Sequence, residues 1–147
     1  MASLLTLTFS QPTRNLAPGE ILITEGDPGG SLYVLETGKL TVERDGVAIA
    51  TIAEPGALVG EMSVLTGTPN SATVRAEGKA AVRVVKDAMA FLERQPAVAL
   101  RVATLLSRRL DATSALLAEL KRDHHATPAE QSIFTRLMTS LFTPTKD

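Results

Sequence analysis

The chain has 147 residues, a length that fits one domain. Apolar residues make up 44% and charged residues 21%; the 15 Lys and Arg against 16 Asp and Glu leave a net charge of −1. That balance gives no whole-chain attraction to nucleic acid or to an acidic membrane. The absence of cysteine excludes disulfide and thiol chemistry. The first residues carry no basic n-region and no long apolar run, and no stretch reaches the roughly 18 apolar residues of a membrane helix. The expectation is a soluble cytoplasmic protein with no membrane partner.

The first half reads as short strands punctuated by glycine turns. Ile21-Leu22-Ile23 runs into Glu25-Gly26-Asp27-Pro28-Gly29-Gly30, and Leu32 to Leu35 is a β-prone run closed by Thr37-Gly38. Leu40, Val42 and Arg44 alternate with Thr41 and Glu43. Asp45-Gly46 then joins that strand to Val47–Ala50, because a type I′ hairpin turn needs positive φ at both central residues. Further strands are expected at Ala72–Ala76 and Ala80–Val85.

The pattern turns helical after Lys86. Asp87 is a candidate N-cap for a short helix carrying Met89, Phe91 and Leu92. Pro96 ends it and can open the next, a long helix predicted over 97–121. One stripe on that helix, Ala99, Ala103, Leu106, Leu110, Thr113, Leu117 and Leu120, has the alternating spacing of an a/d seam and suggests a partner helix; a single wide face packed on the helix's own domain is the alternative. Asp123-His124-His125-Ala126 reads as a linker, its two histidines as solvated residues rather than metal ligands. Thr127-Pro128-Ala129-Glu130 has the form of a capping box with Pro at N1. The helix it opens carries Ile133, Phe134, Leu137, Met138, Leu141 and Phe142 on one side and needs an apolar surface to cover. The expected layout is residues 1–123 as a β-roll with a long dimerisation helix, and 124–147 as a linker and amphipathic helix packed on the same domain.

The segment from Gly60 to Val74 carries the chemistry. It lies between strands and begins with a glycine followed by an acid. A helical turn opening at Gly60 would present backbone N–H groups to an anion. Glu61 can accept hydrogen bonds from sugar hydroxyls, and Ser71 offers a hydroxyl. On spacing alone, a tight loop between strands is the simpler reading.

Here the sequence resembles the cyclic nucleotide-binding domains of the bacterial catabolite activator family, cyclic-nucleotide-gated channels and protein kinase A regulatory subunits. The likeness runs from about Leu16 to Leu120. It rests on Pro18-Gly19-Glu20, Glu25-Gly26-Asp27, Leu32-Tyr33-Val34, Gly38, the cassette from Gly60-Glu61 through Pro69-Asn70-Ser71-Ala72-Thr73-Val74, and Arg108-Arg109-Leu110-Asp111-Ala112-Thr113-Ser114. It implies a mainly β fold, a β-roll of the jelly-roll type with C-terminal helices, and cAMP (or cGMP) as candidate ligand between cassette and long helix. Gly60 and Glu61 match the pair whose acid binds the ribose 2′-hydroxyl, Ser71 the residue that helps hold the cyclic phosphate, and Thr113 and Ser114 the base-contacting pair. Thr113 also fits a polar seam position and Ser114 a solvated one. With Met62, Asn70 and Ala72 from the cassette, these are the candidate ligand-binding residues.

One departure bears on affinity. The family pattern Pro-Arg-Ser/Ala-Ala-Thr is here Pro69-Asn70-Ser71-Ala72-Thr73, so the phosphate-pairing arginine is Asn70. Asn supplies no charge and no bidentate fork. Losing a hydrogen bond to a charged group costs about 1.5–3 kcal/mol, roughly 10- to 150-fold in affinity. Arg75, Arg108 and Arg109 are candidate substitutes. A second departure, Val59 in place of an aromatic residue, touches packing only.

No Ser/His/acid or Cys/His set and no histidine cluster within the strands is found, so neither an enzyme nor a metal or other cofactor is expected. Only Lys121 to Asp147 follow Leu120, too little for a winged DNA-binding domain. The reading is a stand-alone, homodimeric regulatory sensor of cyclic nucleotide, cAMP ahead of cGMP, without DNA-binding output and with an effector protein the sequence does not name. The alternative is a degenerate domain kept as a dimerisation or docking scaffold, which Asn70 favours.

Overall fold

The computed structural model describes residues 2–123, 125 and 127–143. Part of the expected linker, His124 and Ala126, lies outside the described residues, as do Met1 and 144–147. The chain divides into two compact units, residues 1–102 and 103–147.

The first unit is built from two four-stranded antiparallel sheets. A short helix α1 (Leu4–Leu7) precedes strands β1 (Thr13–Leu16), β2 (Ile21–Ile23), β3 (Leu32–Thr37), β4 (Leu40–Arg44), β5 (Val47–Ile52) and β6 (Leu58–Val59). Helix α2 (Glu61–Thr66), strands β7 (Thr73–Ala76) and β8 (Ala80–Val85), helix α3 (Ala88–Arg94) and the start of α4 (Pro96–Asp123) follow. One sheet has the order β1-β8-β3-β6 and the other β2-β7-β4-β5. Side chains alternate across a strand, so Leu35, Leu40, Val74, Ala76, Val82 and Val84 meet in one core cluster. Leu35, Leu40 and Val82 are completely buried, each contributing about 1.5–3 kcal/mol of transfer free energy.

The turn chemistry predicted from the sequence is present. Asp45 and Gly46 have φ of 51° and 76°, and Arg44 pairs with Val47 across the two-residue loop. The Asp45 N–H also donates to the Glu25 carboxylate at 3.2 Å, while the Glu25 N–H donates to Thr73 Oγ1 at 3.0 Å. A bulge follows: Val42 faces Ala50 and Glu43 faces Ala48, leaving Ile49 as the extra residue on β5.

Asp87 differs from expectation. It precedes α3, but its backbone is left-handed (φ 48°, ψ 55°) and its side chain makes no capping bond. A capping side chain normally projects from extended backbone onto the N2 or N3 N–H, an aim the left-handed conformation does not give. The strands β1 and β6 and the helix α1 add to the elements read from the sequence, and β3 and β5 run two residues further than expected.

In α4, Val98 and Val102 are buried. Within the second unit, Leu110 and Leu120 on the predicted seam are exposed and Leu106 and Leu117 half-buried. Helix α5 (Pro128–Phe142) has the predicted capping box: Glu130 N–H donates to Thr127 Oγ1 and Thr127 N–H to the Glu130 carboxylate. None of its residues is buried, and Phe142 is 80% exposed. Among the described residues, no helix is long and apolar enough to cross a membrane.

Candidate functional site

The cassette begins where β6 ends. Gly60 is the N-cap of α2 with φ 87°, a conformation that favours glycine. It is also sterically enclosed: a Cβ there would stand 2.6 Å from the Ser31 carbonyl oxygen. Glu61 follows in the first turn and is buried, 6% exposed. Ser63 is buried too, and its hydroxyl donates to the Gly60 carbonyl at 3.1 Å. Met62 points outward, 58% exposed. The helix closes at Gly67, again left-handed, whose N–H donates to the Ser63 carbonyl.

The second arm of the cassette, Thr68 to Ala72, lies against the loop between β2 and β3. Asn70 N–H donates to the Asp27 carbonyl at 2.9 Å, and Gly26 N–H donates to the Asn70 carbonyl at 2.8 Å. The Asn70 side-chain amide donates to the Thr24 carbonyl at 3.2 Å. Gly29 packs so closely that a Cβ would overlap Ser63 and reach the Asn70 amide oxygen. Position 70 is thus tied to the 24–31 loop by side chain and backbone together, next to a cavity of about 210 Å³ that Thr24, Asp27, Tyr33 and Asn70 help to line. Ser71 and Ala72, next in the chain, are half-buried.

The structure brings Gly60, Glu61, Met62, Asn70, Ser71 and Ala72 into one segment of the first unit. Thr113 and Ser114 lie on α4 within the second unit. Thr113 is exposed; Ser114 is half-buried and its hydroxyl donates to the Asp111 carbonyl at 2.9 Å. Arg75, a candidate substitute for the missing arginine, is engaged elsewhere. Its guanidinium pairs with Glu43 at 3.3 Å and donates to the Gly19 carbonyl. The sequence reading missed the loop 24–31 as a structural partner of the cassette. Its density of Gly, Asp and Pro marked a turn, but nothing local showed what the turn would touch.

This arrangement, two four-stranded sheets with a glycine-capped helix between β6 and β7, is matched by known proteins. The family model of the cyclic nucleotide-binding domain matches residues 13–93, more than half of the chain, and the chain belongs to that family. It is 32% identical over 120 residues to a CRP-like cAMP-activated global transcriptional regulator of Mycobacterium tuberculosis, covering 74% of this chain and 53% of the regulator. A 60-residue stretch is 38% identical to the acetyltransferase Pat of Mycolicibacterium smegmatis, covering 39% of this chain and 18% of the enzyme. Among solved structures, the catabolite activator protein of Thermus thermophilus superposes with a TM-score of 0.65 at 31% identity, covering 80% of this chain and 58% of that one. The chain therefore spans about half or less of the curated relatives named here.

Proposed function

We propose that this protein is a regulatory sensor that binds a cyclic nucleotide, cAMP ahead of cGMP, at the cassette running from Gly60 to Ala72. The observation that carries the reading is the pairing of a sterically obligatory Gly60 with a buried Glu61, inside a segment that belongs to the cyclic nucleotide-binding family. In this reading the Glu61 carboxylate accepts a hydrogen bond from the ribose hydroxyl, and Ser71 and Ala72 face the phosphate. Thr113 and Ser114 enter only through their match to the base-contacting pair. Neither catalysis nor DNA binding is part of this reading, and the partner that receives the signal is unassigned. Isothermal titration with cAMP and cGMP tests it. Saturable binding is expected, stronger for cAMP, and Glu61→Ala should weaken it about tenfold or more by removing hydrogen bonds to a charged acceptor. No heat at millimolar nucleotide from a folded protein would overturn the reading.

The competing reading is a degenerate domain that serves as a scaffold. One observation favours it: the Asn70 amide is engaged by the Thr24 carbonyl. A scaffold would show no binding in the wild type and little gain from a single arginine at position 70.

The proposal includes assembly as a homodimer through α4, with the face of α5 covered in the assembled state. Leu106, Leu110, Leu117 and Leu120 keep a/d spacing along an exposed to half-buried stripe of the single chain, the pattern of a two-stranded seam. Light scattering at tens of micromolar should give the dimer mass, and replacing both Leu110 and Leu117 with Glu should give the monomer. A wild-type monomer would remove this part of the proposal.

A further inference from the structure

The register of β4 against β7 places a charge beside the cassette that the sequence pattern does not reveal. Leu40 pairs with Ala76, Thr41 with Arg75, Val42 with Val74 and Glu43 with Thr73. The ladder ends at Glu43 and Thr73, so Arg44 follows its last pair on one strand and Ala72, the last residue of the cassette, precedes it on the other. A second contact holds the two ends together, since Glu25 bonds both Asp45, next to Arg44, and Thr73, next to Ala72. The face is set by alternation. Leu40 and Val42 pack on the core opposite Ala76 and Val74, and Glu43 shares the other face with Arg75, to which it is paired. Arg44, two residues after Val42, therefore belongs to the core-side face, at its open end. The bulge does not disturb this, because the extra residue is on β5.

Residues directly opposite in a ladder have Cβ atoms about 4.5–5.5 Å apart, and Arg44 and Ala72 each lie one residue beyond the last such pair, so the long Arg44 side chain starts beside the end of the cassette. This sheet contains two arginines, Arg44 and Arg75. Arg75 is committed to Glu43, whereas the Arg44 guanidinium makes no hydrogen bond or ion pair among the described residues. Around the cassette, Glu61, Asp27 and Glu25 are acids. An anionic ligand there needs a compensating cation.

We propose that Arg44 supplies, from the neighbouring strand, the positive charge that position 70 lacks, and binds the anionic phosphate of the ligand. This rests on the reading of the cassette as a cyclic nucleotide site. Titration of wild type, Arg44→Gln, Arg44→Lys and the double variant Arg44→Gln/Asn70→Arg with cAMP tests it, with adenosine as a phosphate-free control. Arg44→Gln should weaken cAMP about 10- to 150-fold while leaving adenosine binding unchanged. Arg44→Lys should recover part of the loss, and Asn70→Arg added to Arg44→Gln should recover most of it. If wild type binds cAMP and Arg44→Gln binds it equally well, or loses cAMP and adenosine in parallel, the assignment of Arg44 is wrong and the cassette remains the site. If folded wild type binds no cAMP at all, the site reading fails and this inference with it.

Discussion

Asn70→Arg should bind cAMP about 10- to 150-fold more tightly than the wild type, the equivalent of about 1.5–3 kcal/mol for a charge-assisted hydrogen bond. The substitution removes the amide bond to the Thr24 carbonyl, an exposed neutral bond with a net contribution of about 0.5–1.5 kcal/mol. It leaves the two backbone bonds that tie position 70 to Asp27 and Gly26, so the loop stays docked. The cavity of about 210 Å³ that Asn70 helps to line gives the longer guanidinium room to extend. Under the proposed role of Arg44, two cations would share one phosphate and their effects should not add; the gain in wild type should be smaller than in the Arg44→Gln background. Calorimetry with cAMP measures it. Unchanged affinity in both backgrounds would show that position 70 does not face the phosphate.

Gly60→Ala should be the most damaging single substitution in the cassette. Two independent costs combine. Left-handed backbone disfavours a Cβ by about 1–2 kcal/mol, and the added methyl would lie 2.6 Å from the Ser31 carbonyl oxygen. That atom is backbone, so relief requires moving the β3 entry or the α2 turn, at about 1–3 kcal/mol for overpacking. The expected loss is roughly 2–5 kcal/mol, seen as a fall in Tm of about 10 °C or more for a unit of this size. Thermal unfolding followed by circular dichroism checks it, and a Tm within a degree or two of wild type would contradict the enclosed geometry. Because Glu61 is carried on the same turn, any protein that survives folded should also bind nucleotide more weakly.

The sequence made local rules legible and long-range pairing illegible. Asp45-Gly46 announces a type I′ turn by itself, and Thr127 to Glu130 announce a helix start; both signals lie within four residues and both are present. The strand β1 has only Leu16 buried, because it is an edge strand that offers one residue to the core, so alternation had nothing to register. The two-residue strand β6 is too short for any period. In the candidate site, Gly60 and Glu61 were found through the cassette motif, whereas Asn70's partner Thr24 is far away in the chain. Arg44 illustrates the boundary well. Alternation put it on the face of Leu40 and Val42, but only the ladder of β4 against β7, whose last pair is Glu43 and Thr73, shows that this end of β4 meets the end of the cassette.

The irregularity on β5 has a bearing on how the protein behaves in a crowded solution. That strand closes one side of its sheet and presents Val47 and Ile49 to solvent, 62% and 58% exposed. An open row of backbone donors and acceptors flanked by apolar side chains is a template on which a strand of another molecule can grow. The extra residue at Ile49 breaks the regular spacing of that row and increases the local twist. A foreign strand laid along β5 therefore loses its register partway, so the same bulge that shapes the hairpin also guards the sheet against open-ended growth.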